Sequence, residues 1–340
     1  LFLALPGAGE LNTIVLRDDF SSYTSGIWLG EVGAESEYHY LPQTAPIGNW
    51  SVSTYRSEPE SQRAWRIEKW DGRSVLAMEY ENRWKDVHPM VVSGDPLWRD
   101  YAVDVTWEPL MERGRSGIVF RYHNDRCYYF FGVLRQKAVL LYVKDGDGFR
   151  RAHEETLAET PFAWPPGDRL SGRVEVAGNR FHAMIGDVAL DATPDAFPEG
   201  RIALTAAAPA RFQDVTVSMS EAAKAAFDAA ARRRSDELDA LRAKNPKPVL
   251  WKKTGMDEFG VGRNLRFGDL DGDGSLEVLV CQPLHHGPKD KASEVSCLTA
   301  ITFDGKELWQ IGAPDPWKNF LTSDVAFQIH DLDGDGRNEV

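Results

Sequence analysis

The sequence predicts an all-β protein in three parts: a two-sheet sandwich, one connecting helix and the opening blades of a β-propeller. Three observations carry that prediction. From about Arg17 to Met219, apolar and polar residues alternate between turn signals; one Ala-rich window of helical pattern follows; and the remainder of the chain repeats itself. With 340 residues there is room for about two domains.

The chain opens Leu-Phe-Leu-Ala-Leu-Pro-Gly-Ala, without a methionine. Two readings of residues 1–16 are open: the remnant of a secretory apolar segment, or a first strand. Over 17–217 the sandwich reading rests on strands such as Tyr101, Val103, Val105 and Trp107, which alternate with Ala102, Asp104 and Thr106. Between Arg173 and Leu190 the pattern gives three strands joined at Gly178-Asn179 and Gly186-Asp187, both suited to tight hairpin turns. Many short, aromatic-rich strands without a helical window predict two packed sheets.

Residues 218–246 then change character. Ser218 and Glu221 have capping-box spacing, and Asn245-Pro246 ends a helix of about 25 residues, roughly 37 Å long at 1.5 Å per residue. Phe227, Ala231, Leu238 and Leu241 fall near one face, so the helix is expected to act as a rigid spacer lying against one domain or both.

From 247 to 340 the strand pattern returns as a repeat. Leu265, Phe267, Asp269, Asp271, Asp273, Gly274 and Glu277 recur as Phe327, Ile329, Asp331, Asp333, Asp335, Gly336 and Glu339. A unit of about 60 residues with a few strands cannot bury its own faces, which makes a propeller blade the economical reading. Within the first unit the strands are predicted at Leu265 to Gly268, Glu277 to Gln282, Val295 to Phe303 and Glu307 to Gln310. The second occurrence stops inside the pattern, so the chain is expected to be a truncated fragment.

Composition narrows the function. The charge is −13, from 39 Lys and Arg against 52 Asp and Glu, the wrong sign for a nucleic-acid partner. No apolar run is long enough to span a membrane. Three cysteines give neither a disulfide framework nor zinc-ligand spacing, although a Cys281 to Cys297 bridge is conceivable. The strongest chemical signal is Asp-Leu-Asp-Gly-Asp-Gly-Ser-Leu-Glu, with acids at positions one, three, five and nine and Gly274 at six. Alternate carboxylates converging on a point suit Ca2+, which takes six to eight oxygens. The predicted ligands are Asp269, Asp271, Asp273 and Glu277, then Asp331, Asp333, Asp335 and Glu339. The loop is not the helix-flanked calcium motif, because Val280 stands at position twelve and both flanks are strands.

The run Phe267-Gly268-Asp269-Leu270-Asp271-Gly272-Asp273-Gly274 resembles the calcium-binding FG-GAP or VCBS repeats of integrin-type propellers, which also occur in proteins resembling rhamnogalacturonan lyases. The stretch from Asp18-Asp19-Phe20 to Phe212-Gln213-Asp214-Val215 resembles concanavalin A-like, laminin G-type jelly rolls, including glycan-binding and keto-disaccharide hydrolase domains; Gly117 to Tyr122, Tyr128 to Phe131 and Gly200 to Leu204 carry that likeness. The first resemblance implies fold and metal, and the second a jelly-roll sandwich that handles carbohydrate. The paired-acid strand motif of glucanases sharing this fold is missing.

Antiparallel order puts the calcium loop at one end of the blade and His285, His286, Lys289, Arg263, Trp317 and Lys318 at the other. There, His285, His286 and Arg263 are the catalytic candidates, a His removing the proton beside a uronate carboxylate that Arg263 or Lys318 holds while Trp317 stacks on the sugar face. In the sandwich, Arg121, Tyr122, Tyr129, Trp84 and Trp98 are candidates for a sugar face, with core packing the competing reading. The expectation is a secreted, periplasmic or cell-surface protein that binds polysaccharide and, if enzymatic, cleaves it as a calcium-dependent lyase. Two rivals stand beside it: a non-enzymatic adhesion protein with structural calcium, and a glycoside hydrolase of the keto-disaccharide type acting from the jelly roll.

Overall fold

The computed structural model describes residues 10–27, 48–53, 64–81, 88–146, 152–256, 259, 264–284, 294–315 and 325–340. Its strands up to the helix are β1 (Thr13–Asp18), β2 (Gly26–Ile27), β3 (Trp50–Ser53), β4 (Trp65–Trp70), β5 (Arg73–Met78), β6 (Met90–Ser93), β7 (Tyr101–Pro109) and β8 (Arg115–Asn124). They continue with β9 (Cys127–Leu134), β10 (Lys137–Asp145), β11 (Ala152–Pro161), β12 (Leu170–Ala177), β13 (Arg180–Ile185), β14 (Val188–Ala192), β15 (Arg201–Ala206) and β16 (Ala210–Met219). One sheet has nine strands in the order β14-β13-β12-β7-β16-β5-β4-β2, with β1 also on β16. The other has seven, β11-β10-β9-β8-β15-β6-β3. Every pairing is antiparallel, as between β7 and β12 and between β8 and β9.

The sheets pack face to face as a sandwich. Val103, Trp107 and Val174 of the first meet Ile118, Phe120, Tyr129 and Phe131 of the second in one buried cluster. Tyr129 lies 5.6 Å from Phe120 and 4.7 Å from Phe181 between ring centroids, and each ring buried this way contributes about 2 to 3 kcal/mol of transfer free energy. The Asp18-Asp19-Phe20 motif closes one end. The Asp18 carboxylate accepts from the Trp50 indole at 2.9 Å, the Tyr23 hydroxyl at 2.9 Å and the Phe20 amide at 2.8 Å. Burial, with the Asp18 charge beside it, pushes the Tyr23 phenol up to about 12.

The seven-stranded sheet is apolar on its other face as well. Along β9, Tyr129, Phe131 and Val133 enter the intersheet core, while Tyr128 and Phe130 join Met90, Val92, Val119, Val139, Leu141 and Val143 on the outside, all buried. That explains why β9 reads Cys-Tyr-Tyr-Phe-Phe-Gly-Val-Leu without alternation: both faces are covered. Gly117 and Gly132 sit opposite each other at the centre of the sheet, and a Cβ on Gly132 would meet the Ser116 carbonyl oxygen at 2.2 Å.

The hairpins at Gly178 and Gly186 form where predicted, with φ of 58° and 56°. The helix occupies Glu221–Lys244. Its cap is Ser220, whose hydroxyl accepts from the Ala223 amide at 3.2 Å; Ser218 remains in β16, paired with Ala102, so the expected Ser218 cap is corrected. Glu221 instead takes the Thr13 hydroxyl, and Ala223 and Phe227 pack on the sandwich core. Leu238 and Leu241, predicted for the packing face, are exposed.

The chain divides into two compact units, Leu1–Lys244 and Asn245–Val340. In the second, β17 (Leu265–Gly268), β18 (Glu277–Pro283), β19 (Val295–Ile301) and β20 (Glu307–Gly312) form a four-stranded antiparallel meander, close to the boundaries read from sequence. The repeat packs on itself. Val325 donates to the Asn264 side chain at 3.4 Å, Arg266 donates to the Phe327 carbonyl at 3.2 Å, and a Cβ on Gly268 would meet Ile329 at 2.7 Å. Cys281 and Cys297 form no disulfide. Cys297 pairs with Gln282, its thiol 3.5 Å from the Gln282 oxygen, so Cys281 points to the opposite face of the sheet.

Candidate functional site

The two acidic loops are folded alike. In the first, Asp269 accepts from the amides of Gly272 at 2.6 Å and Gly274 at 2.9 Å, Asp271 from Asp273 at 3.2 Å, and Asp273 from Ser275 at 2.7 Å. In the second, Asp331 accepts from Gly334 at 2.7 Å and Gly336 at 2.9 Å, Asp333 from Asp335 at 3.1 Å, and Asp335 from Arg337 at 2.8 Å. Glu277 and Glu339 each turn back to the amide following the first Asp, that of Leu270 at 2.8 Å and Leu332 at 2.7 Å. The Gly268 to Glu277 strand pair has its counterpart in the His330 to Glu339 bridge.

The backbone amides hold each carboxylate in place, on both oxygens of Asp269 and Asp331 and on one of Asp271, Asp273, Asp333 and Asp335, and the held carboxylates converge. Oxygens of Asp269, Asp271 and Asp273 lie within 4.8 Å of one another, as do those of Asp331, Asp333 and Glu339. Glu277 and Asp335 fall outside those triads. Between them, the two loops use all four predicted positions. The donor set is oxygen only, which suits a hard cation of the calcium type and offers no nitrogen or sulfur for zinc. The Asn338 side chain donates to the Asp269 carbonyl at 3.0 Å and ties the loops together.

The other predicted site residues fare differently. His285, His286, Lys289, Arg263, Trp317, Lys318 and Trp84 lie outside the described residues. Arg121 and Tyr129 lie inside the sandwich, at 1% and 0% exposure, and present no sugar face. Alternation along β8 would place Arg121 outside, but a bulge with φ of 47° turns it in over the Phe181 ring at 5.1 Å. Its guanidinium is held by the carbonyls of Phe197, Arg99 and Gly178. Burial pushes its pKa down and pushes that of Tyr129 up. Tyr129 donates to the Ala196 carbonyl at 2.6 Å. Trp98 and Tyr122 are buried too.

An open trough of about 920 Å3, not anticipated from sequence, runs over the outer face of the nine-stranded sheet. Asp104, Thr106, Ser171, Arg173, Glu175 and Thr216 line it, with Glu10 and Asn12 at its margin. Arg173 bridges Asp104 at 2.5 Å and Glu175 at 2.8 Å. Partial burial works against its charge, but those two carboxylates outweigh it and hold the guanidinium pKa above its ordinary value. The available signal was strand parity: Asp104 and Thr106 alternate with core Val103 and Val105.

No protein-family profile matches the sequence, and no curated protein does. Solved structures with some likeness include the carbohydrate binding module CBM66 from Bacillus subtilis, at 18% identity and TM-score 0.37 over 49% of this chain and 94% of that one. A protein of unknown function with a galectin-like fold, also from Bacillus subtilis, gives 11% and 0.37 over 62% and 97%. LamAcat from Zobellia galactanivorans gives 10% and 0.39 over 62% and 98%. At these values the likenesses decide neither ligand nor reaction, which rest on this chain's own residues. No helix among the described residues is long and apolar enough to cross a membrane.

Proposed function

We propose that this protein is an extracytoplasmic glycan-binding protein in which a jelly-roll sandwich carries the sugar surface and the C-terminal repeat is a calcium-stabilised propeller element. The trough carries the glycan reading. It sets hydroxyls, carboxylates and one fixed guanidinium on rigid strands in an open groove, and sugar hydroxyls are recognised by such planar hydrogen-bonding arrays. The duplicated carboxylate cradle supports calcium, and a site of this exposed kind suits a compartment where calcium is abundant. Exposed Trp251, Phe267 and Ile311 on the small second unit support a blade that stacks against neighbours.

Hydrolysis is the second reading. Asp104 and Glu175 meet at Arg173 inside the trough, and glycoside hydrolysis is work for two carboxylates. Elimination finds no support among the described residues. The test is affinity electrophoresis of the protein through gels containing neutral or acidic polysaccharides, with calcium and after chelation, while reducing ends are assayed in parallel. Retention on at least one polymer, weakened about tenfold in Arg173→Gln, is the expected result, the loss corresponding to about one charge-assisted hydrogen bond. Reducing ends that disappear in Asp104→Asn would establish hydrolysis. Free migration through every gel refutes the glycan reading.

A further inference from the structure

We infer that the outer face of the seven-stranded sheet holds a second site, built on Arg115, that recognises the carboxylate of a uronate sugar. The glycan source rests on the function proposed above; the carboxylate chemistry does not.

Arg115 opens β8 and points away from the intersheet core, its side chain only 4% exposed. The guanidinium lies over the Phe130 ring, 5.3 Å from its centroid. One terminal nitrogen, Nη2, contacts both the Glu154 carboxylate and His88 Nε2. The other, Nη1, is buried without a hydrogen-bond partner. A buried guanidinium with half its fork unused is unusual, because such donors are nearly always satisfied and Arg pairs best with a carboxylate through two parallel bonds.

The neighbours explain how a ligand would complete the pair. Burial, reinforced by the Arg115 charge, holds His88 well below the ordinary imidazole pKa, so it is a neutral acceptor that anchors Nη2. Glu154 belongs to the edge strand β11, opposite Val143, and 38% of its side chain is exposed. Its carboxylate is therefore a solvent-side plug on a buried cation. A ligand carboxylate that displaces Glu154 gains Nη1 as well as Nη2 and makes the bidentate contact that Glu154 leaves incomplete. No bond is made or broken in this step; one anion replaces another.

The experiment is calorimetric titration of the whole protein with sodium glucuronate and, separately, with glucose. Wild type is expected to bind glucuronate at least tenfold more tightly than glucose. Glu154→Gln, at a partly exposed position that tolerates replacement, removes the competing charge and should tighten glucuronate about threefold or more without changing glucose. Arg115→Gln should abolish the preference. Equal affinity for the two sugars, unchanged or weaker glucuronate binding in Glu154→Gln, or retained preference in a folded Arg115→Gln would each overturn the inference. Glucuronate binding that responds to both substitutions, in a protein that no polysaccharide gel retains, would support this site and refute the glycan reading separately.

Discussion

Replacing Asp271 by Asn should change the sign of its effect with calcium. Three carboxylate oxygens of the first loop lie within 4.8 Å of one another. Two unit charges at that distance repel by roughly 0.9 kcal/mol in a water-like dielectric, and three pairs by about 2.6 kcal/mol. Screening at physiological ionic strength leaves about 1.5 kcal/mol. Asp271→Asn removes two of the three pairs, so without calcium the variant should be more stable by about 1 kcal/mol. The turn itself should survive, because the amide oxygen can still accept from the Asp273 backbone at 3.2 Å. With calcium the same change deletes a hard, charged ligand, and affinity at that loop should fall about tenfold or more while the second loop serves as internal reference. Chemical unfolding in chelator and in calcium, together with calorimetric titration of the metal, reads both arms. Equal destabilisation in the two conditions would sink the argument, since the acids would then be ordinary turn residues.

Two other perturbations test the sandwich. The unfolded His88 imidazole titrates near 6.5 and the folded one well below, so below pH 6.5 the unfolded chain takes up a proton that the folded chain refuses. The contribution of neutral His88 is therefore complete above pH 6.5 and erodes by about 1.4 kcal/mol per pH unit beneath it; melting curves from pH 7 to 5 should be flatter for His88→Gln, and parallel curves would contradict this. Gly132→Ala puts a methyl 2.2 Å from the Ser116 carbonyl oxygen, backbone against backbone, and should cost about 3 kcal/mol or prevent folding, whereas soluble variant protein with wild-type melting would show that the paired strands can separate there.

Legibility in the sequence followed contrast. Where apolar and polar positions alternate and Gly sets the turns, as at Gly178, Gly186 and the β17 to β20 meander, boundaries came out within a residue or two. The acidic loops were legible because acid spacing and glycine position state their own geometry. Arg121 misled because a single bulge reverses the face that parity assigns. Arg115 gave no signal at all: β8 and β9 are apolar on both faces, so no polar side existed against which one buried cation would stand out. The helix cap slipped from Ser218 to Ser220 because β16 stays paired with β7 through Ser218 and with β1 through Met219.

That doubly covered sheet has a dynamic consequence. A sheet with one wet face can admit solvent to its ladder by small local openings, but β8, β9 and β10 have apolar layers on either side and paired neighbours along both edges. Exposing their amides to water means disturbing buried side chains on both faces. They are therefore expected to form the slowest-exchanging unit of the sandwich, with faster exchange in edge strands β11 and β14. The order in which the domain comes apart is thus set from the rim inward, with β9 as its last intact strand.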